Sequence, residues 1–341
     1  MFIIVIIFVT FIYLLTLPQS IGLGDSGLLA AAATTLGIPH PPGFPSYVLL
    51  GHLFTKLPWG SIAWRLGLIS VLSSVGTIWI VLRLAGLPAA LFLAFSYSFW
   101  SQAVNVETYA FTNLVILLVG FFALQEKPRW WLIGMIGGIG LGLNPIVVAV
   151  IPGILVIARS QRRRSNLTVR DCFAALAMTL LGFIAIYSYL PIRAASHPFV
   201  NWGDPVNWER ITKHLFGAGL NIYEPETNSI NGFTGQPIIF WESFLHYWHL
   251  AIFQFTPLLF PLVVIGAWQL FRKNAFVFWM LASIAGTNML FVVLYYGGNQ
   301  ESWMITSWVV MAVWMGMGVD FVLLSSRDRS DGVAISHQHG I

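Results

Sequence analysis

Charge is scarce in this chain. Of 341 residues only 9% are Asp, Glu, Lys or Arg, while 57% are hydrophobic, and a soluble domain carries roughly 25% charged residues. So little charge excludes an ordinary soluble enzyme and points to a polytopic membrane protein. Cysteine is nearly absent: the single Cys172 excludes an intramolecular disulfide and, at the head of an apolar run, is expected to be a small buried hydrophobe. Zinc-finger spacings and basic aromatic platforms are missing. The excess of 17 Lys and Arg over 13 Asp and Glu therefore reads as loop bias in a membrane protein, and nucleic acid is excluded as a partner. The opening "MFIIVIIFVTFIYLLTLP" has neither a basic n-region nor a small-residue cleavage site, so it reads as a retained signal-anchor helix.

What the chain does have is long apolar runs. Spans are expected near 2–18, 62–82, 86–100, 106–125, 131–143, 146–158, 172–190, 254–271, 275–296 and 303–324, some shorter than the roughly 20 residues of a straight crossing. The fold class is thus an all-α polytopic bundle of about 10 transmembrane helices, a single domain over 1–325, followed by a flexible cytoplasmic tail over 326–341. With the N-terminus inside, Arg83, Lys127, Arg129, Arg159, Arg162, Arg163, Arg164, Arg170, Arg272, Lys273, Arg327 and Arg329 fall on the cytoplasmic side, 12 of the 17 basic residues. Both termini are then cytoplasmic, and a prokaryotic plasma membrane is the expected location.

Two long polar segments lie outside in this topology. The first, residues 19–61, runs from the alanine-rich helix former "SGLLAAAATTLG" into "PHPPGFP", where prolines block a continuous helix, and then into "SYVLLGHLFTKLPWG", an interfacial helix. The second, residues 191–253, is too long for an idle connection and is rich in Trp, Asn, Asp, Glu and His. Its "PIIFWESFLHYWHLAIFQF" reads as another interfacial helix. A substrate dissolved in lipid would reach a site built at this boundary.

Asp25, after "IGLG", is the leading candidate for chemistry. An N-cap aspartate is the plain alternative, but an ionisable group beside the membrane boundary is costly and usually has a task. Its carboxylate suits accepting a hydroxyl proton, coordinating a cation, or taking a proton in transport. Ser26 and His40 belong to the same segment, and Glu107 and Tyr109 in "FWSQAVNVETYAFTN" open the fourth span as a second carboxylate and its neighbour. Asn144, in "GLGLNPIVV", marks either a tight re-entry turn or a pocket residue; the motif has no lysine and is not a phosphate loop.

The stretch "YLPIRAASHPFVNWGDPVNWERITKHLFG" adds Arg193, placed to meet a lipid phosphate or to snorkel. Trp202 and Asp204 suit a sugar-binding wall, and Arg210, Lys213 and His214 add positive potential beside it. Asn299 and Glu301, in "YYGGNQESWM", line the site from the opposite side or cap two spans. Histidine spacing is too loose for zinc, so no metal is expected.

The blocks "GDSGLLAAAATTLGIPHPPGFPSYVLLGHLF", "FWSQAVNVETYAFTN", "GLGLNP" and "YLPIRAASHPFVNWGDPVNWERITKHLFG" resemble the polytopic family of transmembrane-protein-260 type O-mannosyltransferases, within the GT-C glycosyltransferase superfamily. The family commonly has Asn-His where this chain has Asn144-Pro145, and an aspartate where it has Asn299 to Glu301. The resemblance implies a GT-C-like bundle with Asp25 as catalytic residue and a polyprenyl-phosphate sugar as donor. It implies transfer of a hexose such as mannose to a hydroxyl of a protein or envelope glycan, by direct inverting displacement and without a cofactor. Expected partners are membrane lipid, the lipid-linked sugar and the acceptor. Two other classes remain: a lipid or sugar transporter, disfavoured by the near absence of charge within spans, and a non-catalytic glycan-assembly subunit.

Overall fold

Pro18 ends the opening apolar run, and helix α1 spans Phe2–Thr16. The computed structural model describes residues 2–163, 168–216, 232–233, 237–296 and 300–338. Helices dominate them, as expected of apolar runs whose backbone amides must be satisfied internally within lipid. After α1 come α2 (Ser26–Thr35), α3 (Pro45–Phe54), α4 (Ile62–Phe95), α5 (Tyr97–Ala103), α6 (Tyr109–Ala123) and α7 (Trp130–Leu141). A short 3-10 turn, Pro145–Ala149, leads into α8 (Val150–Arg163), followed by α9 (Val169–Tyr187), α10 (Tyr189–Ala194) and α11 (Trp208–Phe216). The chain ends with α12 (Pro237–Lys273), α13 (Ala275–Leu294), α14 (Gln300–Trp303) and α15 (Ile305–Gln338). A two-residue antiparallel pairing joins Gly232–Phe233 to Tyr295–Tyr296.

Among the described residues five helices are long and apolar enough to cross a bilayer: Ile62–Phe95, Val169–Ala194, Phe240–Lys273, Ala275–Leu294 and Ile305–Leu323. The shorter apolar helices Phe2–Thr16, Tyr109–Ala123, Trp130–Leu141 and Pro145–Ala158 fall where four further spans are expected. The chain is an integral membrane protein.

Two expected boundaries differ, for local backbone reasons. Helix α4 runs on past residue 82, bent where Gly86 takes φ 77° and ψ −174°, a conformation natural only to glycine. It stops at Phe95, and Tyr97–Ala103 forms a separate helix rather than the end of an 86–100 span. Likewise the expected interfacial helix of the second polar segment is the first part of α12, which breaks at Thr256 (φ 55°, ψ 154°), the residue before Pro257. Helix α15 spans Ile305–Gln338.

Packing is two-sided. Trp308, Tyr13, Tyr47, Tyr247 and Phe255 are fully buried. Phe173, Leu176, Leu180 and Ile184, spaced three or four apart on α9, form an exposed apolar stripe that faces lipid. Cys172, beside that stripe, is exposed and not the buried hydrophobe expected, because α9 packs only its other face on α7. A Cβ on Gly134 or Gly138 would run into the α9 backbone at Ala175 and Thr179, so these small residues set the close approach of the two helices.

The two polar segments meet. Ile38 donates its N–H to Val200 O at 2.6 Å, and Trp202 N–H donates to Ile38 O at 2.9 Å. An even number of expected spans separates them, and they lie on one side of the bundle.

Candidate active site

Beyond α1, Gly24 turns the chain at φ 73° and delivers Asp25 to the head of α2. Asp25 occupies the N-cap position, yet its carboxylate makes no capping hydrogen bond. The plain N-cap alternative therefore describes its backbone and not its side chain, which is 44% exposed. Its N–H donates to Glu107 Oε1 at 3.2 Å. Ser26 is buried, with its hydroxyl 3.0 Å from both Leu23 O and Asn105 Oδ1. Ser26 thus anchors the turn within the chain and offers no free hydroxyl to a ligand.

Glu107 comes from the loop between α5 and α6. Ser70 Oγ on α4 donates to Asn105 O at 2.6 Å, Val106 N–H to Asn105 Oδ1 at 2.9 Å, and Glu107 N–H to Asn105 O at 3.1 Å. This tight loop leaves Glu107 only 3% exposed. Burial first, and the Asp25 charge second, push its carboxyl up to about 8. Tyr47 of α3 faces it: the phenol is fully buried, its hydroxyl has no hydrogen-bond partner among the described residues, and burial, then Glu107, raise it far above the ordinary tyrosine range.

On the other side of Asp25 stands His40, whose Nε2 is 3.6 Å from Asp25 Oδ2. Its ring meets Phe44 and Trp202 edge-on, with centroids 5.1 and 6.1 Å away. Burial lowers the His40 imidazole below its ordinary 6.5, opposed by the Asp25 carboxylate. His214 of α11 is 3% exposed and wedged between Gly43 (φ 87°) and Gly203 (φ 71°), where a Cβ on either would come within 3.0 Å of its ring. Burial, then neighbouring His40, lower it to about 4, against a hydrogen bond with the Pro39 backbone. Among the described residues no group of three His, Cys, Asp or Glu side chains forms a set that would hold a metal ion.

A half-exposed carboxylate, a buried second carboxyl and a histidine thus converge where two polar segments join. Residues 25–85 and 79–167, beginning at Asp25 itself, match the sequence family described as the Protein O-mannosyl-transferase TMEM260 N-terminal domain. The likeness to the TMEM260 family thus runs over residues 25–167. The chain is 30% identical over 233 residues to the Protein O-mannosyl-transferase TMEM260 of Mus musculus, a match covering 60% of this chain and 32% of the mouse protein. A Dictyostelium discoideum protein of the same description is 30% identical over 135 residues, 36% of this chain and 16% of its own. The match thus spans about a third of the mouse relative. In fold the chain is similar to ArnT from Cupriavidus metallidurans, with a TM-score of 0.61 for the apo state and 0.60 for the structure bound to undecaprenyl phosphate. Each superposition covers 94% of this chain and 59% of ArnT at 15% identity, a likeness of fold alone.

Around Asp25 the other candidates are dispersed. Arg193 donates through Nε to Leu36 O at 2.8 Å and through Nη2 to Thr35 O at 3.3 Å, closing the carboxyl end of α2. That end lies roughly 15 Å along the helix from Asp25, at about 1.5 Å per residue. Arg193 and Asp25 therefore do not bracket one bond. Arg210 pairs with Asp204, which also accepts from Asn201 Nδ2, and Lys213 pairs with Glu209 at 2.7 Å. His214 adds no positive charge, because burial keeps it neutral. Trp202 is part of the wall at His40. Tyr109 Oη accepts from Trp303 Nε1 at 2.7 Å, a link between α6 and α14. Asn144 caps the 3-10 turn, its Oδ1 accepting from Ile146 N–H at 3.0 Å, as a tight turn requires. Glu301 is exposed on α14, and Asn299 lies outside the described residues. Asn105, Ser70 and Tyr47 were not among the candidates; Tyr47 sits in an apolar helical run and Ser70 in a span, where no local pattern signals a site.

Proposed function

We propose that this chain transfers a hexose such as mannose from a polyprenyl-phosphate donor to a hydroxyl of a protein or envelope glycan, at the extracytoplasmic face of the membrane. The observation that supports it most is Asp25: a carboxylate whose backbone is held by Glu107 and whose side chain makes no capping bond and stays half-exposed. The names of the mouse and Dictyostelium relatives, and of the undecaprenyl-phosphate-bound ArnT, agree with this assignment.

The acceptor oxygen attacks the anomeric carbon as the bond from that carbon to the phosphate oxygen breaks. The electron pair leaves with polyprenyl phosphate, the hydroxyl proton passes to Asp25, and the anomeric configuration inverts. His40, neutral near pH 7 and 3.6 Å from Asp25, orients the carboxylate. Trp202 and Phe44 form an apolar wall around it. Arg193, held to the carboxyl end of α2 by its bonds to Leu36 O and Thr35 O, serves the structure and does not touch the reacting carbon. Basic residues concentrated on the opposite side of the expected topology favour an extracytoplasmic site. The sequence relatives are eukaryotic, which lends the expected prokaryotic membrane no support.

The test is transfer from labelled polyprenyl-phosphate hexoses to an extracytoplasmic protein extract by the purified protein in lipid. Transfer present in the native chain and absent in Asp25→Asn supports the assignment; no Asp25-dependent transfer with any donor sinks it.

A further inference from the structure

The two carboxyl groups of the site occupy opposite environments. Asp25 reaches water, whereas Glu107 is 3% exposed and, among the described residues, pairs with no Lys, Arg or His. Two negative charges so placed do not coexist cheaply, and the proton goes to the group that water cannot reach. The groups that face Glu107 are Asp25 from the head of α2 and Tyr47 from α3, with His40 beyond Asp25, so no cation touches it directly. Ser70 of α4 approaches only its backbone carbonyl, at 3.4 Å.

Resting on the reading above that Asp25 is the base, we propose that Glu107 is a positioning residue acting as the neutral carboxylic acid: its Oε1 anchors the Asp25 backbone without placing a second negative charge beside the base. A Cβ on Gly24 would come within 3.3 Å of the same Oε1, so the turn closes directly on the carboxyl. An ionised Glu107 would keep the anchor but repel both the Asp25 carboxylate and an anionic donor. An apolar residue would remove the repulsion and lose the anchor. Only an uncharged acceptor does both, and the protonated side chain is one. The upward displacement of its titration to about 8 is consistent with a proton held at neutral pH.

The experiment compares E107Q, which mimics the protonated acid, with E107A. In the full-length protein in lipid, the infrared C=O stretch of a protonated carboxyl is present at pH 7 in the native chain, absent in E107Q, and titrates away near pH 8. Amide hydrogen exchange at Asp25 is slow in the native chain and in E107Q, and about tenfold faster in E107A, the equivalent of one net hydrogen bond. In the transfer assay E107Q recovers about tenfold or more of the activity lost in E107A, and the native alkaline fall in rate is missing from E107Q. A lack of the protonated-carboxyl band at pH 7, Asp25 exchange unchanged in E107A, or folded E107Q no more active than E107A overturns the proposal. The infrared and exchange readouts need no turnover, so failure of the glycosyltransferase assignment is distinguishable: it appears as missing or Asp25-independent transfer with both signals intact.

Discussion

His40 Nε2 stands 3.6 Å from Asp25 Oδ2, and the Asp25 N–H is held from the other side by Glu107 Oε1 at 3.2 Å. The one exposed carboxylate of the site is thus fixed through its backbone by a neighbour on the α5–α6 loop and faced by a ring from its own polar segment. Each contact makes a separable prediction.

Asp25→Asn leaves the fold intact, because the lost charge makes no capping bond. Transfer falls by about a hundredfold or more, the usual contribution of a positioned general base. Rates measured beside a thermal melt check both halves.

Under the proposed function, acid weakens transfer through His40. Burial lowers its imidazole below 6.5, so it is neutral at pH 7 and protonates only in more acid solution, where it ion-pairs with Asp25 and draws away the charge that the base needs. In His40→Gln the acid limb of kcat against pH shifts to lower pH. A limb that stays in place would show that His40 does not set it.

His214 makes the junction of the two polar segments pH-sensitive. Its folded value is depressed to about 4, so between that value and 6.5 the unfolded ring binds a proton that the folded ring does not. Stability is complete above 6.5 and declines as pH falls toward 4, by roughly 3 kcal/mol over the whole interval at about 1.4 kcal/mol per unit. Melts of the native chain and His214→Gln, recorded across that range, converge in acid if the sign is right.

Arg193→Ala weakens the structure more than the chemistry. Two charge-assisted hydrogen bonds to the end of α2 are lost, about 2 kcal/mol of stability for a partly exposed pair. The donor KM changes by less than about threefold, because at its distance the guanidinium is screened by salt. A large rise in KM without loss of stability would assign Arg193 to the donor phosphate instead.

Composition and local pattern are enough to establish several features of this protein. Scarce charge with repeated apolar runs means a membrane bundle, since helices are the form in which such runs satisfy their own amides in lipid. An even number of expected spans between residues 61 and 191 places the two polar segments on one side, and their hydrogen-bonded junction agrees. Asp25 stands out because an isolated carboxylate at the end of an apolar helix is costly unless it has a task. These inferences rest on burial cost and helical period, which act over neighbouring residues.

Tertiary packing decided the rest. Glu107 reaches Asp25 across 82 positions, Arg193 turns to the end of α2 across 157, and Tyr47 meets Glu107 from a helix whose local sequence is merely apolar. The same packing makes His214 a neutral wedge and leaves Asp25 as the water-exposed partner of a buried acid. Which carboxyl keeps its charge depends on what surrounds it in space, and local sequence does not encode that environment.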